Sequence, residues 1–215
     1  MKKSIKKLMA ALLSVILILV VAIPAFAAQS GDEIVARISV CSRDKEVPSF
    51  GHTWIYVENI STEPIQVGAY TVPVGEGVSI GTFANTRYDG KGVYYNIEAH
   101  CINKYDDHDF YSITKEISSD TLNKVSNKIL SLNNWDFFKN CMHFTFSVWK
   151  TATGQSFANL ILPTLGELQM RIAGARHRNL NMYYPSADRV YKQIGSGSEA
   201  TIIVVKSSSL VTPIG

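Results

Sequence analysis

Short hydrophobic runs, rich in β-branched and aromatic residues, alternate with polar turns from residue 33 to residue 99. Such runs are typical of β-strands, because side chains along a strand point in turn to opposite faces of a sheet. The turns between them carry Gly, Pro, Asn and Asp, which favour chain reversal. The pattern therefore predicts a five-stranded antiparallel meander, with strands at residues 33–40, 52–58, 65–71, 78–83 and 93–99.

Helical spacing begins only at about residue 119. Hydrophobic residues then recur every three or four positions, which is the spacing of one face of an α-helix. Three helices and one further strand, which could close a sheet edge, are predicted at 119–132, 140–151, 165–172 and 201–205. Strands that come first and helices that come after predict an α+β fold, a β-meander packed against helices, rather than alternating βαβ units.

The first 27 residues have the three-part layout of a secretory signal peptide. Four lysines within residues 2–7 precede an apolar run from Leu8 to about Ile23, and a small-x-small cleavage site ends at Ala27. We therefore expect a signal peptide at 1–27 and a secreted protein, located outside the cell or in the cell-wall space. An uncleaved membrane anchor is the alternative, although the apolar run is near the short end for a span.

Loss of the signal peptide would change the charge of the chain. The full sequence has 21 Lys and Arg against 18 Asp and Glu, a formal net charge of +3. Four of the lysines and no acidic residue lie in residues 1–27, so 17 basic groups would face 18 acidic ones. No stretch is dense enough in Lys and Arg to follow a phosphate backbone, which disfavours nucleic-acid binding. After cleavage we expect no stable membrane span, one domain at 28–175, and a C-terminal extension at 176–215 that packs on it.

Three cysteines, Cys41, Cys101 and Cys141, are an odd number for an exported chain, in which thiols tend to pair. Cys141 follows Asn140, which is a favoured helix N-cap, and the helix that it would begin ends at Gly154. The unpaired N–H groups and the dipole of a helix N-terminus stabilise a thiolate and can also receive an oxyanion. Cys141 is therefore a candidate nucleophile. The alternative is a small buried residue at a helix start.

A cysteine nucleophile needs an imidazole to share its proton, and His52 is the best-placed candidate. It enters the second predicted strand just after Gly51. From this rigid position its side chain could reach the N-terminus of a helix packed across the sheet. His143 lies two residues after Cys141 and would point away from it on a helix.

A metal site is an alternative use of two of the remaining histidines and their neighbours. The spacing of these residues along the chain matches no familiar set of metal ligands, so we expect no metal and no cofactor. The residues that could form it are His100, Cys101, Asp107 and His108.

The two motifs around His52 and Cys141 resemble those of a known group of enzymes. Gly51-His52-Thr-Trp, followed along the chain by Asn140-Cys141-x-x-Phe144, is similar to the circularly permuted NlpC/P60 class of papain-like cysteine hydrolases. That class includes YiiX-like and lecithin:retinol acyltransferase-like proteins. In its permuted order the strand with the His precedes the helix with the Cys, as it does here. The resemblance spans about residues 33–175 and implies a papain-like α+β fold in a bacterial cysteine hydrolase.

The resemblance also implies roles and substrates. Cys141 would attack an amide or ester carbonyl, His52 would act as base and then as acid, and the Cys141 N–H would form part of the oxyanion hole. A third polar group would orient His52; Glu98, at the end of the fifth predicted strand, is the first choice, and Gln66 and Thr71 compete. Peptidoglycan stem peptides are the implied substrate of an amidase or peptidase, and an acyl or protein substrate remains open.

Two other classes of function remain open. The first is a catalytically inactive binding module on the same scaffold, with a glycan or peptide groove lined by the tyrosines Tyr94, Tyr95, Tyr105, Tyr111, Tyr183 and Tyr184. The second is a structural or adhesion domain, which would leave the Cys–His pair as a coincidence. If Cys141 is the nucleophile, Cys41 and Cys101 could form a disulfide, since they lie near the ends of the first and fifth predicted strands.

Overall fold

The structure, a computed structural model, describes residues 33–43, 51–83, 90–136, 138–158 and 163–206 of the 215-residue chain. The predicted signal peptide, 1–27, lies outside the described residues. The fold is α+β, as predicted, with an antiparallel sheet and four α-helices in this part of the chain. The strands are β1 (Ile34–Arg43), β2 (His52–Asn59), β3 (Ile65–Val67), β4 (Tyr70–Val72), β5 (Gly77–Phe83), β6 (Gly92–Tyr95), β7 (Tyr111–Ser118), β8 (Arg176–His177), β9 (Tyr191–Ile194) and β10 (Thr201–Val204). The helices are α1 (Ile97–Tyr105), α2 (Ser119–Ser131), α3 (Cys141–Thr153) and α4 (Pro163–Ile172).

The main sheet has eight strands in the order β10-β9-β6-β5-β2-β1-β7-β8. Every pair of neighbours is antiparallel. β3 and β4 form a separate hairpin outside this sheet. Three strands from the chain beyond residue 175 join the sheet, since β8 pairs with β7, β9 with β6, and β10 with β9. The predicted strand at 201–205 is confirmed as β10 at the sheet edge.

Both faces of the sheet are covered, because alternate residues of its central strands are apolar on each side. One face packs against α2, α3, α4 and the β3–β4 hairpin through a large core; typical members are Ile38, Val57, Ile80, Val125, Phe144 and Trp149. The other face packs against α1 and the C-terminal stretch through a smaller core that includes Cys41, Trp54, Tyr56, Ala99, Ile102 and Met182. The start of β2 therefore lies between a helix of each layer.

Helix α3 is confirmed almost as the sequence predicts it. It begins at Cys141, directly after its N-cap Asn140, and it ends at Gly154, which has the left-handed φ of 73° that glycine tolerates at a helix end. It packs against β2, β5, β1 and α2. Phe144 and Trp149 are buried on its inner side, and burial of each such side chain contributes about 1.5–3 kcal/mol. This packing fixes where the helix N-terminus lies relative to β2.

Two of the predicted strands are wrong in part. The run 65–71 is not one strand of the meander but the hairpin β3–β4, because Gly68 takes a positive φ of 60° and reverses the chain. The run 93–99 is a strand only as far as Tyr95. Asn96 has a left-handed φ of 70°, which ends the strand, and its N–H donates to the Ser79 carbonyl at 2.7 Å.

Helix α1 corrects the expectation that helices begin only at about residue 119. It follows Asn96 directly, so the last three residues of the predicted strand 93–99 are helical. The strands β7, β8 and β9 are also absent from the sequence prediction. β7 pairs with β1 over its whole length, which makes β1 an interior strand of the sheet. Within the described residues, no helix is long and apolar enough to cross a membrane.

Candidate functional site

Cys141 is the first residue of α3, and hydrogen bonds from the side chain of the preceding residue cap this end of the helix. The Asn140 side-chain oxygen accepts from the N–H groups of Met142 at 3.0 Å and His143 at 3.3 Å. The capping bonds therefore use the second and third N–H groups of the helix and do not involve that of Cys141 itself. The thiol is buried, and it lies at the positive end of the α3 dipole.

We expect replacement of the Asn140 cap to destabilise the protein. Asn140→Ala removes the acceptor for two first-turn N–H groups and should lower the free energy of unfolding by about 1 kcal/mol. Asn140→Asp is the matched control, because aspartate caps as well as asparagine does. Urea unfolding followed by circular dichroism measures both, and equal midpoints for Asn140→Ala and the wild type would contradict the capping role.

His52 is the first residue of β2 and lies beside Cys141. Its ring stacks on Phe83 with a centroid distance of 4.6 Å and lies 5.9 Å from the ring of Trp54. The side chain is buried. These aromatic neighbours limit the orientations of the imidazole, so that its two nitrogens face fixed partners.

The imidazole and the thiol form a coupled buried pair. Burial opposes the charged form of His52, but hydrogen bonds and charges from Cys141 and Glu98 outweigh it and raise the pKa of His52 to about 9. Burial likewise opposes the thiolate, but His52 and Thr53 bring the pKa of Cys141 below its ordinary value. A thiolate–imidazolium pair is therefore favoured between the lowered pKa of the thiol and about pH 9.

Thr53 is a contact that the sequence prediction missed. Its backbone and its hydroxyl both favour the Cys141 thiolate. By distance and angle, this buried hydroxyl makes no hydrogen bond within the described residues. Nothing in the sequence marks this role apart from the position of Thr53 next to His52.

Glu98 meets His52, but it reaches it from a helix and not from the end of a strand. It lies in the first turn of α1, and its carboxylate is fully buried. Oε1 lies 3.1 Å from Nε2 of His52. Nε2 is thus engaged by Glu98, which leaves Nδ1 as the imidazole nitrogen for Cys141. The structure therefore brings Cys141, His52 and Glu98 together, although the element predicted for Glu98 is wrong.

The two competitors for the orienting role lie elsewhere. Gln66 and Thr71 face each other in the β3–β4 hairpin, where the Thr71 hydroxyl donates to Gln66 Oε1 at 2.8 Å. Neither strand of this hairpin pairs with β2, whose partners are β1 and β5, and the residue opposite His52 is Arg43.

No disulfide joins Cys41 and Cys101 in the structure, and both side chains are buried. Burial raises the pKa of Cys41 well above its ordinary value, and burial raises the pKa of Cys101 to about 12. Buried thiols of this kind are unreactive. Among the three cysteines, Cys141 alone has a lowered pKa.

The first alternative site to compare with the structure is the metal site. In the described part of the chain, no group of three or more His, Cys, Asp or Glu side chains could hold a metal ion, so the residues His100, Cys101, Asp107 and His108 form no such cluster.

Two of the six tyrosines proposed for a groove, Tyr94 and Tyr95, are fully buried and cannot line one. Tyr184 does line an open cleft of about 470 Å³ with Phe110 and His108. The Phe110 ring packs on Trp54 at 5.3 Å, so two aromatic rings separate this cleft from His52.

Comparison with family models, with curated proteins and with solved structures finds no match for this chain.

Proposed function

We propose that the protein is a secreted bacterial cysteine hydrolase of amidase, peptidase or acyltransferase type. The observation that supports it best is the contact of Cys141, at a helix N-terminus, with a buried His52 whose other nitrogen faces Glu98. This arrangement has the nucleophile, the base and the orienting group that nucleophilic catalysis needs. A buried structural cysteine does not need an imidazole held by a carboxylate.

The chemistry follows from the two charged groups. The Cys141 thiolate attacks the carbonyl carbon and forms a C–S bond, and the carbonyl oxygen becomes an oxyanion that the Cys141 N–H can receive. As the intermediate collapses, the His52 imidazolium donates its proton to the leaving amine or alcohol, and the C–N or C–O bond breaks. His52 then takes a proton from water, which attacks the thioester and releases the acid and the thiolate.

The proposal includes the circularly permuted papain-like arrangement. Three features support it: the His-bearing strand β2 precedes the Cys-bearing helix α3 in the chain, α3 packs on the central strands β1, β2 and β5, and the sheet is antiparallel. Peptidoglycan stem peptides are the proposed substrate, and a lipid-type or protein acyl group is the alternative.

The proposal predicts an unusual pH dependence of thiol alkylation. An ordinary thiol with a pKa of about 8.5 has roughly one hundred and fifty times more thiolate at about pH 8.5 than at about pH 6. Its rate of alkylation by iodoacetamide rises by the same factor, because the thiolate is the reacting form. The pKa of Cys141 is lowered by His52 and Thr53. We therefore expect its rate to change much less over the same range than that of an ordinary thiol.

Peptide mapping by mass spectrometry after timed labelling measures this rate for each cysteine. The ratio of the two rates removes the effect of the limited accessibility of Cys141. Cys41 and Cys101 are internal controls and should stay unlabelled in the folded protein, because both are buried and have raised pKa values. A steep profile for Cys141, like that of an ordinary thiol, would instead favour the inactive binding module.

A further inference from the structure

The Glu98 carboxylate packs against β5, where the strand provides both a hydrogen-bond partner and space for it. Both of its oxygens have partners: Oε1 faces His52 Nε2 at 3.1 Å, and Oε2 accepts from the Ser79 hydroxyl at 2.9 Å. The carboxylate is fully buried, and α1 packs directly against β5. A buried carboxylate keeps its charge only when such partners replace water.

Ser79 fixes the direction of these hydrogen bonds. Its hydroxyl oxygen accepts from the Ala99 N–H at 3.1 Å, and its single proton is donated to Glu98 Oε2. Its carbonyl also accepts from the Asn96 N–H at 2.7 Å. Ser79 thus binds the start of α1 at two backbone groups and holds the Glu98 carboxylate through Oε2. The other oxygen, Oε1, then faces Nε2 of His52, which leaves Nδ1 for the thiol.

Gly81 provides the space for this pair. A Cβ atom placed on Gly81 would lie 1.9 Å from Glu98 Oε1 and 3.1 Å from His52 Nε2. Its φ is not among the positive ones, so the backbone itself would accept alanine. The position therefore excludes a side chain for reasons of space, and the clash falls on the His52–Glu98 contact.

We propose that Ser79 and Gly81, neighbours on one face of β5, are positioning residues that set the orientation of Glu98 and, through it, the imidazole nitrogen presented to Cys141. This inference rests on the proposed function, because it concerns the same site of Cys141, His52 and Glu98. Neither residue touches the nucleophile or the substrate. Their effect is transmitted through Glu98 to His52.

The first test is Ser79→Ala, with Ser126→Ala as its matched control. Ser126 is also buried, and its hydroxyl also has two partners, donating to the Gln66 carbonyl at 2.7 Å and accepting from the Gly68 N–H at 2.8 Å. Both variants lose a buried hydroxyl, but Ser126 lies in the contact of α2 with the hairpin. We expect Ser79→Ala to steepen the pH profile of Cys141 alkylation by about tenfold. Ser126→Ala should leave the profile unchanged.

The second test is Gly81→Ala, with Gly77→Ala as its control on the same strand. A Cβ at Gly77 would lie 2.0 Å from the Tyr56 hydroxyl, so the overlap is comparable, but it involves neither His52 nor Glu98. Both variants should be less stable. Only Gly81→Ala should steepen the alkylation profile and lower the turnover of p-nitrophenyl acetate, by about tenfold or more.

The outcomes separate this inference from the proposed function. A steep profile in the wild type would overturn the thiolate–imidazolium pair itself. A shallow profile in the wild type that stays shallow in both Ser79→Ala and Gly81→Ala would leave the proposed function intact and overturn the positioning role. A steepened profile in the control Ser126→Ala would also overturn it, because general loss of stability would then explain the effect.

Discussion

Cys141→Ala is expected to abolish turnover. The substitution removes the only atom proposed to bond with the carbonyl carbon, and loss of a catalytic nucleophile lowers kcat by at least about four orders of magnitude. The measurement is hydrolysis of p-nitrophenyl acetate and of peptidoglycan stem peptides by wild type and variant. Cys141→Ser should be nearly as inactive, because a serine hydroxyl at this position stays protonated at neutral pH and is a much weaker nucleophile than a thiolate.

Cys101→Ala is the matched control for Cys141→Ala. Cys101 is a buried thiol that packs in a separate small cluster of side chains with Tyr94 and Ile97. Its loss should lower the free energy of unfolding slightly and leave kcat within about threefold of the wild type. Circular dichroism and urea unfolding establish that each variant is folded. Turnover that persists in folded Cys141→Ala would eliminate Cys141 as the nucleophile.

The start of α3 could be predicted from the sequence because the interactions that form it are local. A favoured cap, Asn140, directly precedes Cys141, and its side chain binds N–H groups two and three residues later. Gly154 ends the helix in the same local way. The predicted bounds of this element are close to the observed ones for that reason.

The element that carries Glu98 could not be predicted, because distant residues form it. Val93 to Ala99 has the hydrophobic character of a strand, and nothing within the run marks Asn96 as its end. The backbone of Asn96 and that of Ala99 are both bound by Ser79, which lies on the neighbouring strand. The helix start therefore depends on a tertiary contact, and local propensity favours the wrong structure.

The sheet order was similarly beyond the sequence pattern. A meander of five consecutive strands places 65–71 beside β2, whereas β5 takes that position in the structure. The three-residue strands β3 and β4 are too short to continue the sheet, and they pack against α2 instead. This exchange is what brings Ser79 and Gly81 next to Glu98, since both lie on β5.

His52→Gln is expected to lower kcat by about a hundredfold to ten-thousandfold, because it removes the group proposed to carry protons in both halves of the reaction. Glutamine keeps a hydrogen-bonding side chain in the strand but cannot become charged. The pKa of the Cys141 thiol should therefore rise toward its ordinary value, since His52 is the largest of the influences that lower it. Alkylation of Cys141 should become steeply dependent on pH. His143→Gln is the control, because that ring is on the same helix and does not contribute to the lowered pKa of Cys141.

The proposed roles of His52 and Cys141 also predict how the activity of the wild-type protein depends on pH. His52 has a raised pKa of about 9, so its proton is present below that pH and is lost as the pH rises through it. Above about pH 9 the thiolate remains but the imidazolium proposed to protonate the leaving group is gone. We therefore expect kcat/KM to fall on the alkaline side, with an apparent pKa that belongs to the Cys141–His52 pair. On the acid side activity should persist to below the ordinary thiol pKa, because the pKa of Cys141 is lowered. His52→Gln should lose the alkaline limb, since glutamine does not titrate. An alkaline limb that persists unchanged in His52→Gln would assign the proton transfer to a different group.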